Sequence, residues 1–291
     1  MQQLVVNIIV LAAIYALIAC GYVLIYRVSR VLNLAHGELM MLGAYLLLTT
    51  GSLFTGHPVV AVVAALLLSI LVGACVYIFL MRNMTGEMVL AAVLTTVALG
   101  ILLRGVMVLI WSAQQQYPSQ ALGAANPAIA LWGGARISTW SALLIIATVI
   151  VYGGLFVFLR FGRWGIRMRA AGQNPLLAAQ RGVNLHGVYA LAWSLSTFTG
   201  GLAGMLIALN SGLTGTMVII GLKAFPAALV GGLDSLVGAL VGSLIVASAE
   251  VLLIHYVDPL LADVVPFLVL IAMLMIRPWG LFGTPEELDR V

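Results

Sequence analysis

The chain has 291 residues, 63% hydrophobic and only 8% charged, with a mean hydropathy of +1.18. A soluble domain carries about a quarter charged residues, so a water-soluble globular fold is excluded and a polytopic membrane protein is implied. The net charge of +4 does not point to nucleic acid, because the arginines lie in short connections between apolar runs.

The first apolar run, Leu4–Tyr26, has no basic region before it and is long for a signal peptide, so it reads as a retained span. Asn33-Leu34-Ala35-His36-Gly37-Glu38 opens the second, Leu34–Thr50. Asn33 is placed to cap that helix, and a carboxylate at Glu38 in its first turn suits the helix dipole. Gly37 and Gly43 leave room for close backbone approach, so Asn33, His36 and Glu38 are also candidates for a gate or pore lining. Pro58–Leu80 and Met88–Trp111 follow, each near the roughly 20 residues a bilayer core requires. Cys20 and Cys75 lie inside these apolar runs without CxxC spacing and read as small packing residues.

The connection Ser112–Thr139 is polar through Gln114-Gln115-Gln116 and broken by Pro118, Pro127 and Gly133-Gly134. It reads as a partly ordered external loop. Trp140–Leu159 is the next span. Phe161–His186 then carries arginines at 163, 167, 169 and 181 and no acidic residue. Within it Asn174 is a helix N-cap, Pro175 suits the first helical position and Gly182 the left-handed stop. Pro175–Arg181 is therefore expected to form a short helix at the membrane surface. Val188–Leu209 and Asp263–Ile276 are further spans. Between them Thr216–Ile254 is too long for one helix and is interrupted at Gly231–Ser235, giving two short spans or a re-entrant pair. Small residues recur every four positions at Gly231, Ser235, Ala239, Ser243 and Ala247, and again at Gly200 and Gly204, a pattern of close helix packing. The expected fold is all-α: one transmembrane domain over 1–291, a helical bundle of about eight spans, with a broken segment near 216–254.

Arginine placement sets the expected orientation. With 161–186 in the cytoplasm, Arg27, Arg30, Arg82, Arg160, Arg277 and Arg290 also fall inside, and only Arg136 falls outside. The N-terminus is then periplasmic and the C-terminus cytoplasmic. Arg104 and Lys223 lie within spans, Glu250 near the outer end of its segment, and the three could form a mutually neutralising cluster. No catalytic constellation is present. The one lysine, Lys223, follows Leu222, so there is no P-loop, and the four histidines lack metal-ligand spacing.

Three blocks resemble one family. Asn33–Tyr45 (NLAHGELMMLGAY), Arg169–Asn184 (RAAGQNPLLAAQRGVN) and Gly221–Glu250 are similar, in sequence and spacing, to the LivH-type permeases of branched-chain amino acid ABC importers. The resemblance covers essentially the whole chain. It implies a second, LivM-type permease, two ABC ATPase subunits that hold the ATP and magnesium, and a periplasmic solute-binding protein, with no cofactor on this chain itself. It also implies an inner-membrane location. By the same resemblance the Pro175–Arg181 helix is the coupling helix, with Ala170, Ala171, Asn174, Pro175, Leu177, Ala178, Ala179, Arg181 and Gly182 facing an ATPase. The general importer pattern of EAA, three residues and Gly is departed from here: only Gln180 and Arg181 separate Ala178-Ala179 from Gly182. Asn33, His36, Glu38, Arg104, Lys223 and Glu250 are the candidate path or gate. The expected function is passage of a small amino acid-like solute, with branched-chain amino acids first, and urea, short amides or small aromatic carboxylates as alternatives. A gradient-driven carrier or channel is the rival from another class. It would place an acid at mid-depth, and Asp234 fits only if the broken segment is re-entrant.

Overall fold

In a bilayer the backbone must satisfy its own hydrogen bonds, and this chain does so almost wholly with helices. The computed structural model describes residues 1–123, 125–131 and 134–284; Gly133 of the external connection and Arg290 of the arginine bias lie outside them. Helix α1 (Gln2–Ser29) leads to α2 (His36–Leu53), α3 (Pro58–Phe79) and α4 (Val89–Trp111). A short α5 (Pro118–Ala121) and a hairpin of β1 (Ala128–Ala130) and β2 (Arg136–Ser138) precede α6 (Thr139–Phe161). Then come α7 (Arg163–Gln173), α8 (Pro175–Gln180), α9 (Leu185–Ser211), α10 (Met217–Gly231), α11 (Leu236–Tyr256) and α12 (Val265–Ile276). The antiparallel hairpin, pairing Ala128 with Ser138 and Ala130 with Arg136, is a small addition to the expected helical bundle.

Among the described residues, α1, α3, α4, α6, α9 and α11 are long and apolar enough to cross a membrane, and α10 and α12 are shorter apolar helices. Burial sorts them: α1 and α9 each hide 72% of their most apolar window, α4 only 17%. The pair α1 and α9 is therefore the axis. Around it, α1 packs on α11, α10 and α6, while α9 packs on α2 and α3. The outer faces of α3, α4 and α6 keep large exposed side chains such as Leu67, Leu109 and Val149, which suits contact with lipid.

Lipid removes the hydrophobic gain from joining helices, so close packing must do the work. At the crossing of α2 and α10, a methyl added to Gly221 would stand 2.5 Å from the Cα of Gly37. The crossing therefore requires glycine at 221 and leaves little room at Gly37. Capping follows the sequence: Asn174, Asn184 and Ser235 accept from the N–H groups of Leu177, Gly187 and Gly238 at the starts of α8, α9 and α11. The break at 231–235 is where it was expected.

Contacts identify the two ends. At the loop end, Gln3 bonds the backbone of Arg136, and Gln116 pairs with Leu213. At the arginine end, Arg30, Asp234 and Thr284 meet. The first and last described residues lie at opposite ends, as an odd number of crossings requires.

One expectation needs correction. The connection 161–186 was expected to hold a single short helix, but α7 occupies its first half with 11 residues. Gly165, Met168 and Ala171 recur at i, i+3, i+6 and are buried, so α7 lays a narrow seam on the bundle, with Arg163 and Arg167 turned outward and Arg169 folded back to donate to the Leu159 carbonyl.

Candidate functional site

Two regions carry polar chemistry. The first is the break between α1 and α2. Residues 30–35 are not helical, and α2 begins deep in the bundle, because His36 reaches the middle of α1 and of α9. His36 Nε2 lies 3.1 Å from the Ile18 carbonyl and Nδ1 3.3 Å from the Ser196 hydroxyl. A carbonyl can only accept, so Nε2 carries the proton and Nδ1 accepts from Ser196. The ring is wholly buried, edge-on to Tyr22 at 4.6 Å between centroids. Its place is that of a strut between α1, α2 and α9.

Asn33 was expected to cap α2. Instead Ala35 stands at the cap position, and the Asn33 side chain accepts from the Ala35 N–H at 3.1 Å, closing a turn ahead of the helix. Its buried Nδ2 has no hydrogen-bond partner among the described residues. Thr96 of α4 steadies the same break by accepting from the Leu34 N–H. Glu38 lies against Gly100, and the Arg104 guanidinium acts on it electrostatically.

The second region is the start of α10. Tyr22 donates to the Gly221 carbonyl, and Gly37 packs against Val218 and Gly221, so the N-terminal half of α10 meets the start of α2 inside the bilayer. Lys223 pairs with Glu250 of α11, and Tyr15 of α1 donates to the other oxygen of Glu250 at 2.5 Å. Asp263, at the end of a 3₁₀ turn over Pro259–Asp263, approaches Lys223 at 3.3 Å. Two of the three residues expected to cluster therefore meet. Arg104 does not join them: it donates to the Gly215 carbonyl at 3.3 Å, just ahead of α10. Tyr15 and Asp263 complete the group and were not anticipated. The available signal for Asp263 was an acid at the head of the last apolar run.

Asp234 lies at the arginine end rather than at mid-depth. It pairs with Arg30 at 2.6 Å and accepts from Thr284 at 3.0 Å. Burial weakens the hold of Arg30 on its proton, but Asp234 and Tyr26 together more than reverse this and leave the guanidinium more basic than usual.

At the same end α8 stands out from the bundle. Leu176 and Leu177 are exposed, as are Asn174, Pro175, Ala179, Arg181 and Gly182. Ala170 is half-buried, whereas Ala171 and Ala178 are buried against the chain itself. Of the expected coupling residues, those two keep their side chains off the outward face. Gly182, at φ 80°, makes the left-handed turn out of α8. Behind α8 lies a cavity of about 430 Å³, lined by Ala179, Tyr77, Met81, Ala92 and Trp193 among others. No group of three or more potential metal ligands occurs among the described residues.

Comparison with known proteins bears on the whole chain. Residues 4–274 match the family model described as "Branched-chain amino acid transport system / permease component". The high-affinity branched-chain amino acid transport system permease protein LivH of Escherichia coli (strain K12) is 30% identical, over 96% of this chain and 94% of its own. The corresponding permease protein BraD of Pseudomonas aeruginosa is 29% identical, over 98% and 96%. A solved chain of PsaBC from Streptococcus pneumoniae in complex with Fab covers 94% of this chain and 89% of its own, at a TM-score of 0.48 and 17% identity.

Proposed function

The chain belongs to the branched-chain amino acid transport permease family, and from that premise we propose that it is one of two permease subunits of an ATP-driven importer. In this reading the arginine end faces the cytoplasm of a bacterial inner membrane, since positive loops stay inside. Two ABC ATPases dock there, a LivM-type permease packs alongside, and a solute-binding protein delivers cargo at the loop end. The cargo is a small amino acid-like solute, branched-chain amino acids first. Its path runs along the broken starts of α2 and α10, where Asn33, Glu38, Arg104 and Lys223 supply polar groups, Glu250 anchors Lys223 and His36 holds the break.

The observation that carries the proposal is α8. It is an Asn174-capped helix with Leu176 68% and Leu177 56% exposed at the arginine end. Exposed leucines on a short, stiff helix are a contact awaiting a partner. The cavity behind α8 gives it room to shift without clashing.

The test uses the chain co-expressed with its genomic neighbours and reconstituted in proteoliposomes. Uptake of leucine should require ATP and the ATPases. Gly182→Val places a β-branched residue in a left-handed turn, at a cost of about 1–2 kcal/mol. It should abolish uptake while ATP hydrolysis and assembly persist, and Gly182→Asn should retain uptake. Unchanged uptake in Gly182→Val refutes the coupling role. The rival reading, a gradient-driven carrier, draws support from Asp263, an acid at membrane depth. Solute accumulation by this chain with no ATPase present would favour it.

A further inference from the structure

We propose that the Asp263 carboxylate is the station at which the ammonium group of the solute is held within the membrane, an inference that rests on the permease reading above. Lys223 contacts two carboxylates, Glu250 and Asp263. Glu250 is closed off: Tyr15 and Lys223 both donate to it, and its side chain is 4% exposed. Among the described residues Asp263 keeps only the 3.3 Å approach to Lys223, and its side chain is 73% exposed. One cation against two carboxylates leaves one negative charge in excess, and Asp263 presents it.

Depth makes that exposure informative. Helix α12 starts two residues later and has 12 residues, hence a length of roughly 18 Å. Beyond it, the N–H groups of Leu281 and Phe282 bond the carbonyls of Val230 and Gly231 at the arginine end. Asp263 therefore lies roughly 18 Å from the arginine end of a hydrocarbon core of about 30 Å, in its loop-end half. A carboxylate facing lipid there is costly, so it faces water, solute or protein. The exposed groups around it change character with depth. Toward the arginine end, α12 shows only apolar side chains, Leu268, Ile271 and Met275. Along the start of α10 stand Thr216, the Gly215 carbonyl and Arg104. Exposed polar groups, His255 and Asp258 among them, thus run from the loop end as far as Asp263 and give way to apolar ones beyond it.

A primary ammonium is the complementary ligand. It cancels the excess charge and donates to an acceptor-only group. It can also displace Lys223 from Asp263 without stranding a buried cation, because Lys223 retains Glu250.

The test uses the assembled importer in proteoliposomes with Cys75→Ser and Val264→Cys, a half-exposed position beside Asp263. Labelling by a trimethylammonium thiosulfonate should outpace labelling by an ethylsulfonate thiosulfonate by about tenfold, the factor given by ~1.4 kcal/mol. Asp263→Asn should erase that preference, and leucine delivered by the binding protein should slow labelling. In the parent background, Asp263→Asn should lower leucine uptake per ATP hydrolysed by about tenfold or more, and Asp263→Glu should restore most of it. Two results would overturn the proposal: a Val264→Cys importer that transports leucine yet never reacts, or an Asp263→Asn importer with parental coupling. Leucine uptake that needs no ATPase would instead overturn the permease reading, and labelling would still judge Asp263.

Discussion

Lys223, Glu250 and Tyr15 show how this bundle tolerates charge. Taking a lone ammonium out of water costs several kcal/mol, and a partner repays that only when the remaining acceptors are satisfied. Here Glu250 receives both Lys223 and Tyr15, and three helices are joined through one carboxylate. Lys223→Met should strand that carboxylate and destabilise the fold by about 3–5 kcal/mol. Adding Glu250→Gln should recover most of the loss. Thermal unfolding of the purified protein in detergent checks both, and equal losses in single and double variants would show that the pair is not coupled. Residues at this scale were partly legible in the sequence. Lys223 and Glu250 declared themselves by being charged within apolar runs. Tyr15 did not, because an aromatic in a span has no need of an ionised partner. Arg104 misled for a related reason: depth along a helix says nothing about azimuth, and its turn of α4 faces Gly215.

Among the helices, sequence was most informative where a local rule fixes the backbone. The Asn174-Pro175 start, the Gly182 stop and the glycine break after Gly231 all depend on neighbours in the chain, and each stands where expected. The start of α2 was less legible. Its first turn is held by tertiary contacts from Ile18, Ser196 and Thr96, which no local rule contains. Helix α7 was missed because its buried stripe is only one residue wide and three arginines mask it. The tight crossing of α2 on α10 gives an element-scale prediction. Gly221→Leu should push these helices apart and abolish uptake, while Gly215→Ala, where an added methyl meets nothing within 4 Å, should be tolerated. Uptake assays on matched expression levels check the pair.

For the whole molecule, a buried α1–α9 axis with lipid-facing α3, α4 and α6 could be read only as "bundle" from composition. Which spans are central depends on small residues meeting across helices, and the four-residue stripes mark candidates without naming partners. Orientation, by contrast, is a whole-chain property for which the arginine bias gives an expectation. A cysteine at Ala179, in a Cys75→Ser background, should react with impermeant reagents only from the cytoplasmic side, and one at Gln115 only from the periplasmic side. The reverse pattern would invert the proposed direction of delivery and of ATPase docking.

Helices α2 and α10 both begin part-way through the bilayer. In the proposed importer a solute path filled with water up to those starts would leave less than the full hydrocarbon core between the two aqueous phases, and the membrane voltage would drop over a shorter distance. A net charge moved through that drop gains or loses about 2.3 kcal/mol per 100 mV however short the distance. A zwitterion gains nothing as a whole and feels only a torque, stronger as the field steepens. Leucine flux should therefore be indifferent to an imposed potassium diffusion potential, while the torque favours one alignment of its dipole in the narrows.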